Sequence, residues 1–306
     1  MLKKIMNIFV ILIIACALIM PAVANEDKDA NDTTTTFIFK ENESIEYVIT
    51  YNEYDTVTAL AKESNLSLMR AGYSLNEIKE IKNYEEAFHN HIDYLNSTYS
   101  DEELLKLGYT SEEVKLLRSD NVLKYSSALA ANLSMYFSTV PGQGLKYQNG
   151  VNTIAVRYGF DWTRVPSMKY TDAFSIGWDN RFGVNNSNSN HPNGRVTIPI
   201  VYVPINSFYN NVIDVKTMDM LSGGSTFKIN FDMKKGDIYN ADRAESIVYL
   251  KYPSNIESVS QIRFSVSYAH AKAPTTFSYT IPNTGVGIDF NESILVDSIY
   301  SSGYLY

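Results

Sequence analysis

Cysteine is almost absent from this 306-residue chain, in which Cys16 is the single one. Cys16 lies in an apolar N-terminal segment, so a chain that lost this segment would contain no cysteine. Without thiols a protein has no disulfides, no cysteine metal ligands and no thiol nucleophile. The sequence therefore excludes these chemistries and predicts a fold that is held together by packing alone.

Positive charge is also scarce, with 26 Lys and Arg residues against 34 Asp and Glu residues. Lys3 and Lys4 belong to the N-terminal segment, so its loss leaves 24 basic residues against 34 acidic ones and a net charge of −10. A negative net charge disfavours binding to nucleic acid and to anionic membranes. After the N-terminal segment, no stretch approaches the ~18 apolar residues of a membrane span. We therefore expect no nucleic-acid partner and no membrane span.

The usual motifs of catalysis and cofactor binding are missing too. The sequence contains no phosphate-binding loop, no dinucleotide fingerprint, no His-Glu-x-x-His helix and no Gly-x-Ser-x-Gly elbow. The four histidines show no metal-ligand spacing; they are His89, His91, His191 and His270. We therefore expect no cofactor and no metal, and we favour a protein without enzymatic activity.

Residues 1–24 have the pattern of a secretory signal peptide. Lys3 and Lys4 precede an apolar run from Ile5 to Met20, and Ala22-Val23-Ala24 forms a small-x-small cleavage site. The polar residues 25–36 then read as a flexible leader. The pattern predicts a secreted protein; a lipid anchor at Cys16, after Ile13-Ile14-Ala15, is the alternative.

Residues 37–140 are predicted to form a short β-hairpin and a small helical domain with an internal repeat. Leu68 to Ser74 aligns with Leu104 to Thr110 at an offset of 36 residues. In each copy a glycine, Gly72 or Gly108, ends one helix, and Ser74 or Thr110 caps the next. Capping boxes are expected at three places, with the pairs Ser74 and Glu77, Ser100 and Glu103, and Thr110 and Glu113. The repeat indicates a helical hairpin used twice; a helical interaction module is the alternative.

A last helix is predicted from Val122 to Phe137, where Leu129, Leu133 and Phe137 recur every four residues. The run Pro141-Gly142-Gln143-Gly144 then ends the helical part. We place the domain boundary at this run.

Residues 141–306 show the two-residue period of strands. Side chains alternate from Ile154 to Trp162 and again from Phe174 to Trp178, so the two tryptophans of the chain end neighbouring strands and are expected to share one core. Several more short strands follow, and Pro199 in one of them indicates an edge or bulged position. The fold class predicted is α+β, with the small helical domain followed by an antiparallel β-sandwich.

The candidate ligand-binding residues cluster around the tryptophans; they are Trp162, Trp178, Asp161, Asp172 and Asp179. Asp161 and Asp179 alternate with the tryptophans, so solvent-facing positions are expected for both. Many of the 23 tyrosines lie in or beside strands, where core packing or an exposed aromatic row would each suit them.

Export, the missing motifs and the predicted sandwich favour a secreted, non-enzymatic binding protein that recognises a surface polymer or a protein partner. Cell-surface glycans and proteins are the partners expected. The alternative is a secreted hydrolase of glycosidase type, because paired carboxylates converge from distant positions in the sequence and leave no local motif.

Overall fold

The computed structural model describes residues 36–40, 44–70, 73–166, 169–186, 194–204, 209–221, 224–253, 259–271, 276–283, 285–291 and 296–306. The helices are α1 (Glu53–Ala61), α2 (Asn65–Arg70), α3 (Leu75–Thr98), α4 (Asp101–Lys106), α5 (Ser111–Leu117), a 3-10 helix (Val122–Tyr125) and α6 (Ser126–Leu129). The strands up to residue 204 are β1 (Thr36–Lys40), β2 (Ser44–Asn52), β3 (Asn132–Thr139), β4 (Lys146–Gln148), β5 (Val151–Trp162), β6 (Thr171–Trp178), β7 (Gly183–Val184) and β8 (Thr197–Pro204). The later strands are β9 (Val212–Thr217), β10 (Asp219–Met220), β11 (Thr226–Asp232), β12 (Lys234–Lys235), β13 (Tyr239–Pro253), β14 (Ile262–Ala271), β15 (Tyr279–Thr280), β16 (Asp289–Phe290) and β17 (Val296–Leu305). The predicted signal peptide lies outside the described residues.

The fold is α+β, as predicted, with a helical region followed by antiparallel sheets that pack on each other. Within the described residues the larger sheet has ten strands, and its main path runs β1-β2-β3-β5-β13-β8-β9. The smaller sheet has five strands in the order β10-β11-β6-β14-β17. The neighbouring strands whose register is resolved are antiparallel, which allows one face of each sheet to be apolar and the other polar.

One aromatic-rich core lies between the two sheets. The inward residues of β5 are every second residue from Ile154 to Trp162, and all are buried. The facing strand β14 contributes Ile262, Phe264, Val266 and Tyr268 to the same cluster. These alternating positions, each large and apolar, are what makes two sheets stack about 10 Å apart. The period-two prediction for this part of the chain is confirmed.

The two tryptophans occupy opposite ends of this core. Trp162 and Trp178 are each 1% exposed and belong to the same cluster, as expected. Their strands are consecutive in sequence but lie in different sheets, because β5 belongs to the larger sheet and β6 to the smaller one. The shared core thus brings together two strands that are consecutive in sequence, one from each sheet.

The helical region contains the predicted repeat, with equivalent residues in equivalent environments. Leu68 and Leu104 are fully buried, and the backbone N–H groups of Tyr73 and Tyr109 donate to their carbonyl oxygens at 3.1 Å in both copies. All three predicted capping boxes are present. Gly108 has the left-handed φ of 95° that a helix-ending glycine needs; the equivalent Gly72 lies outside the described residues. Each copy packs its own small apolar cluster.

The predicted last helix is wrong after Leu129. The chain forms a 3-10 turn and the short α6, and then β3 begins at Asn132. Leu133, Met135 and Phe137 are fully buried, and β3 pairs with β2 on one side and β5 on the other. A four-residue spacing of apolar residues is a multiple of the strand period as well as close to the helical one, so the pattern at 129, 133 and 137 fits both structures.

The N-terminal hairpin joins the larger sheet through β2, which lies beside β3. In the sequence, the helices therefore come between β2 and β3, which are neighbouring strands of that sheet. The domain division at residue 140 stays a prediction.

Pro199 is not in an edge strand, since β8 lies between β13 and β9. The pairing of β8 with β13 ends at Ile200, so Pro199 lies one residue outside it. At this position the missing N–H of proline costs no hydrogen bond.

In the part of the chain that the structure describes, no helix has the length and apolar character that crossing a membrane requires.

Candidate functional site

The outer face of the larger sheet carries an acidic and basic cluster at a β-bulge in β13. Ala241 and Ala244 both point into the core, and the register with β8 shifts between Ala241 and Arg243. Asp242 and Arg243, the two successive residues between these alanines, therefore both lie on the outer face. A bulge of this kind re-aims a side chain that strict alternation would have buried. On the neighbouring strand β5, Asp161 pairs directly with Arg243.

The two carboxyl groups of this cluster influence each other. Burial raises the pKa of the Asp242 carboxyl to about 6; Arg243, whose guanidinium lies 2.9 Å from it, opposes the shift, and Asp161 adds to it. Burial also raises the pKa of Asp161, against the effect of Arg243. Near neutral pH the cluster therefore holds one carboxyl close to its titration point beside a second carboxyl. A pair of this kind suits proton transfer as well as hydrogen bonding.

A hydrogen-bonded network across three strands adjoins the cluster. The Tyr136 hydroxyl donates to Glu245 at 2.8 Å, and Arg157 donates to the same carboxylate at 2.5 Å. Burial would raise the pKa of Glu245, but the bonds from Arg157 and Tyr136 lower it overall. Gly159 lies under the tyrosine: a Cβ there would meet the Tyr136 hydroxyl at 2.8 Å and the Ala244 carbonyl oxygen at 2.3 Å. Glycine at 159 is what allows Tyr136 to cross β5 and reach Glu245.

A groove of about 300 Å³ opens on the same face, towards the other end of β5 and β13. Its floor comes from the two strands, and its walls come from the loop before β4 and from the segment after β7. Its polar lining comprises Gln143, Lys146, Thr153, Asn185 and Tyr249. Residues with amide, hydroxyl, ammonium and phenol groups thus line an open groove at the small end of the range for ligand sites. Thr153 and Asp161 lie eight residue steps apart along β5, which is roughly 26 Å at the rise of a strand.

A second polar cluster is buried at one end of the sandwich core. Asp172 is fully buried and accepts hydrogen bonds from the Tyr268 hydroxyl at 2.6 Å, from His270 Nδ1 at 2.9 Å and from the Ala271 backbone N–H at 3.1 Å. Trp162 Nε1 donates to the Tyr268 oxygen at 3.1 Å. Because Asp172, Tyr268 and His270 are almost completely inaccessible, the cluster can fix the ends of β6 and β14 together but cannot contact a ligand in this state.

The five residues predicted as ligand-binding are thus not brought together at one site. The structure brings Trp162 and Asp172 together through Tyr268 in the core, and it places Trp178 at the other end of the core, where its ring stacks on Phe227 at 5.4 Å. The other two predicted residues, Asp161 and Asp179, are in contact with solvent. Asp179 forms an ion pair with Arg181 at 2.5 Å, whose hydrogen bonds lower the pKa of its carboxyl. Ligand binding by these five residues stays a prediction.

Two of the described histidines, His89 and His270, take part in ring packing and hydrogen bonding, whereas His91 is exposed. His89 Nε2 lies 3.2 Å from the Ser126 hydroxyl and 3.5 Å from that of Tyr54, which links α3 to α1 and α6. His191 lies outside the described residues. Within those residues no three histidine or acidic side chains gather as metal ligands would.

The tyrosines divide between core and surface. Tyr158, Tyr202 and Tyr268 are buried, whereas Tyr209, which precedes β9, and Tyr279, in β15, are 51% and 41% exposed. Core packing, rather than an exposed aromatic row, thus explains the three buried tyrosines.

Sequence reasoning missed Asp242, Glu245 and the groove. Asp242 lies inside β13, at the bulge that directs its side chain to the outer face. The groove residues come from four separate segments, so no local pattern could join them. The alternating run from Ser246 to Tyr252 does place Tyr249 on the face opposite Val248, which is the one signal that pointed to this surface.

No family model matches the chain, and no curated protein matches it. Among solved structures, the chain is similar to one described as "pH-induced modulation of Streptococcus parasanguinis adhesion by Fap1 fimbriae", with 11% identity and a TM-score of 0.18 over 57% of this chain and 78% of that one. It is also similar to "BspA_C_mut", with 6% identity and a TM-score of 0.25 over 76% of this chain and 90% of that one. A third likeness, to "AvmM Catalyzes Macrocyclization in Alchivemycin A Biosynthesis", has 9% identity and a TM-score of 0.20 over 54% and 96%. Likenesses this weak carry no argument about function.

Proposed function

We propose that this is an exported binding protein whose sandwich recognises a hydroxyl-rich surface polymer, a glycan, on the outer face of the larger sheet. The groove beside Thr153 and Tyr249 is the observation that carries the proposal. Sugars present many hydroxyl groups, and a groove lined with amide, hydroxyl and ammonium groups offers donors and acceptors to match them. The exposed face continues from the groove to Asp161 and Arg243, so several sugar units have polar contacts within reach.

Binding to arrayed glycans and to isolated cell-surface polysaccharide tests the proposal, followed by calorimetry with the best ligand. Gln143→Ala removes one amide from the wall of the groove, and a lost hydrogen bond of about 1 kcal/mol weakens binding about fivefold. Gln148→Ala is the matched control, because Gln148 is also exposed, lies on β4 and does not line the groove. Absence of any glycan ligand, or equal losses in the two variants, would reject the glycan site; binding to a surface protein alone would also do so.

The pair Asp161 and Asp242 favours a second candidate, a glycoside hydrolase. An acid whose pKa is near 6 next to a second carboxyl is the arrangement that such enzymes use. Asp161→Asn separates the two functions. In a hydrolase it abolishes release of reducing sugar while the ligand still binds, whereas in a binding protein no sugar is released by either form.

A further inference from the structure

Among the described strands, β9 ends the main path of the larger sheet and has a paired neighbour on one side only. Within the described part of the chain β8 is its neighbour, and its pairing runs from Val212 with Tyr202 to Thr217 with Thr197. Ile213 and Val215 point to the outer face and are each 63% exposed. An open edge with exposed β-branched residues is a template for one more strand.

The residue that follows β9, Met218, shows which residues of β9 form backbone hydrogen bonds with β8. The Met218 N–H donates to the Val196 carbonyl at 2.9 Å, and this pair continues the register of β8 with β9. Hydrogen-bonded and non-hydrogen-bonded pairs alternate along an antiparallel ladder. The backbone groups of Val212, Asp214 and Lys216 therefore point to β8, and those of Ile213, Val215 and Thr217 point to the open edge.

We propose that β9 pairs antiparallel with β9 of a second copy of this chain, with Val215 opposite Val215 on the two-fold axis. In this register the three outward-pointing residues of one copy face the three of the other, because Ile213 lies opposite Thr217. Each edge group then finds a partner, and the ladder contains six new hydrogen bonds.

The charges select this register over its neighbours. With Val215 on the axis, Asp214 lies opposite Lys216 of the second copy at both symmetry-related positions. Moving the axis by one residue in either direction, which slides the strands by two residues, puts Asp214 opposite Asp214 or Lys216 opposite Lys216. These are non-hydrogen-bonded pairs with close side chains, where like charges repel. Asp214 already lies near positive charge, 3.1 Å from Lys216 and 3.0 Å from Lys235 of its own chain.

The apolar outer residues complete the match. Val215 on the axis packs beside Val215 of the second copy, and Pro199 and Val201 of β8 extend this apolar strip within each copy. The two larger sheets then form one continuous sheet across the axis. This dimer is independent of the glycan site, which lies on β5 and β13.

Sedimentation equilibrium of the full chain over a range of concentrations tests the dimer. The unmodified chain is expected to associate reversibly to twice its own mass. Val215→Lys places two like charges on the axis and is expected to yield monomers, whereas Met220→Lys, at a site 65% exposed on β10, leaves the association unchanged. A monomeric unmodified chain would overturn the proposal, and so would a Val215→Lys dimer.

A charge exchange tests the register and guards against misfolded variants. Asp214→Lys alone turns two attractive cross-strand pairs into repulsive ones and is expected to raise the dimer dissociation constant about tenfold. Adding Lys216→Asp restores opposite charges and is expected to return the constant to near its original value. Failure of the second change to rescue the first would overturn this register.

A disulfide on the axis provides a second measurement. In a Cys16→Ser background, Val215→Cys is expected to cross-link on mild oxidation, because Cα atoms about 5.5 Å apart in such a pair suit a disulfide. Met220→Cys in the same background is expected to stay uncross-linked. Equal cross-linking of the two variants would indicate random collision and count against the ladder.

Discussion

At the scale of single residues, Asp172 has a structural role that its position in the sequence did not show. Its carboxylate is fully buried, and the three groups that donate to it come from Tyr268, His270 and Ala271 on β14. A carboxylate placed in this way is costly to bury and stabilises the fold only while every donor is in place. The pairing of the ends of β6 and β14 is therefore expected to depend on Asp172.

We predict that Asp172→Asn lowers the free energy of unfolding by about 3–5 kcal/mol, the usual loss when one partner of a buried charged network is removed. An amide has the shape of the carboxylate, but it lacks the charge and presents an NH₂ group to donors. Urea unfolding at pH 7 measures the loss. Asp161→Asn is the matched control on the exposed face, where the change is expected to stay within about 0.5 kcal/mol. Equal free energies of unfolding for the two variants would show that Asp172 does not stabilise the fold.

The residue scale also shows what the sequence could not reveal. Strict alternation predicts the direction of every side chain in β5, and the structure agrees from Ile154 to Trp162. In β13 the bulge breaks the alternation between Ala241 and Arg243, so the outward position of Asp242 follows from the register with β8 alone. Sequence patterns therefore predicted the core but not the acidic cluster, which depends on how two distant strands align.

At the scale of elements, Arg164 connects the helical region to the sandwich. It follows β5 and donates to the carbonyl oxygens of Leu129 and Ala130, the latter at 2.9 Å. Its guanidinium also forms an ion pair with Glu113 at 2.6 Å and lies over the Tyr109 ring at 4.3 Å from its centroid. Glu113 is the acidic residue of the Thr110 capping box, so one side chain binds the start of α5 and the end of α6.

We predict that Arg164→Ala lowers the free energy of unfolding by about 2–4 kcal/mol. The arginine is largely buried, and its removal takes away the donor to two carbonyl groups and the cation paired with Glu113. The helices are expected to lose protection first in hydrogen exchange, ahead of β5 and β13. Arg118→Ala provides the control: it removes an arginine whose bonds, to Asp101, Asn96 and Tyr99, all lie within the helical region. Uniform loss of protection over the whole chain would contradict this role for Arg164.

The helices themselves were largely predictable, because their signals are local. Capping boxes at Ser74, Ser100 and Thr110 depend on residues three apart, and the structure contains all three. β3 was not predictable in the same way. Its apolar residues fit a helix and a strand alike, and the pairing that decides between them comes from β2, 80 residues before, and from β5.

At the scale of the whole molecule, the sandwich is completed by strands from both sides of the helical region. Leu133, Met135 and Phe137 of β3 are fully buried in a core whose other buried members, apart from Ala131, come from residues 141–306. β2 covers the far edge of β3. Burial of three side chains of this size contributes roughly 5–9 kcal/mol, which is comparable with the whole stability of a typical domain.

We therefore predict that residues 141–306 alone do not form a stable fold, whereas residues 37–306 do. Without β3 the edge of β5 is open and the apolar surface that Leu133, Met135 and Phe137 cover is exposed, so the shorter fragment is expected to aggregate or to bind hydrophobic dyes. Circular dichroism melts and sedimentation of the two fragments provide the measurement. A cooperative melt of residues 141–306 would establish the boundary at 140 as an independent domain border. It would also show that the contribution of β3 to the core is dispensable.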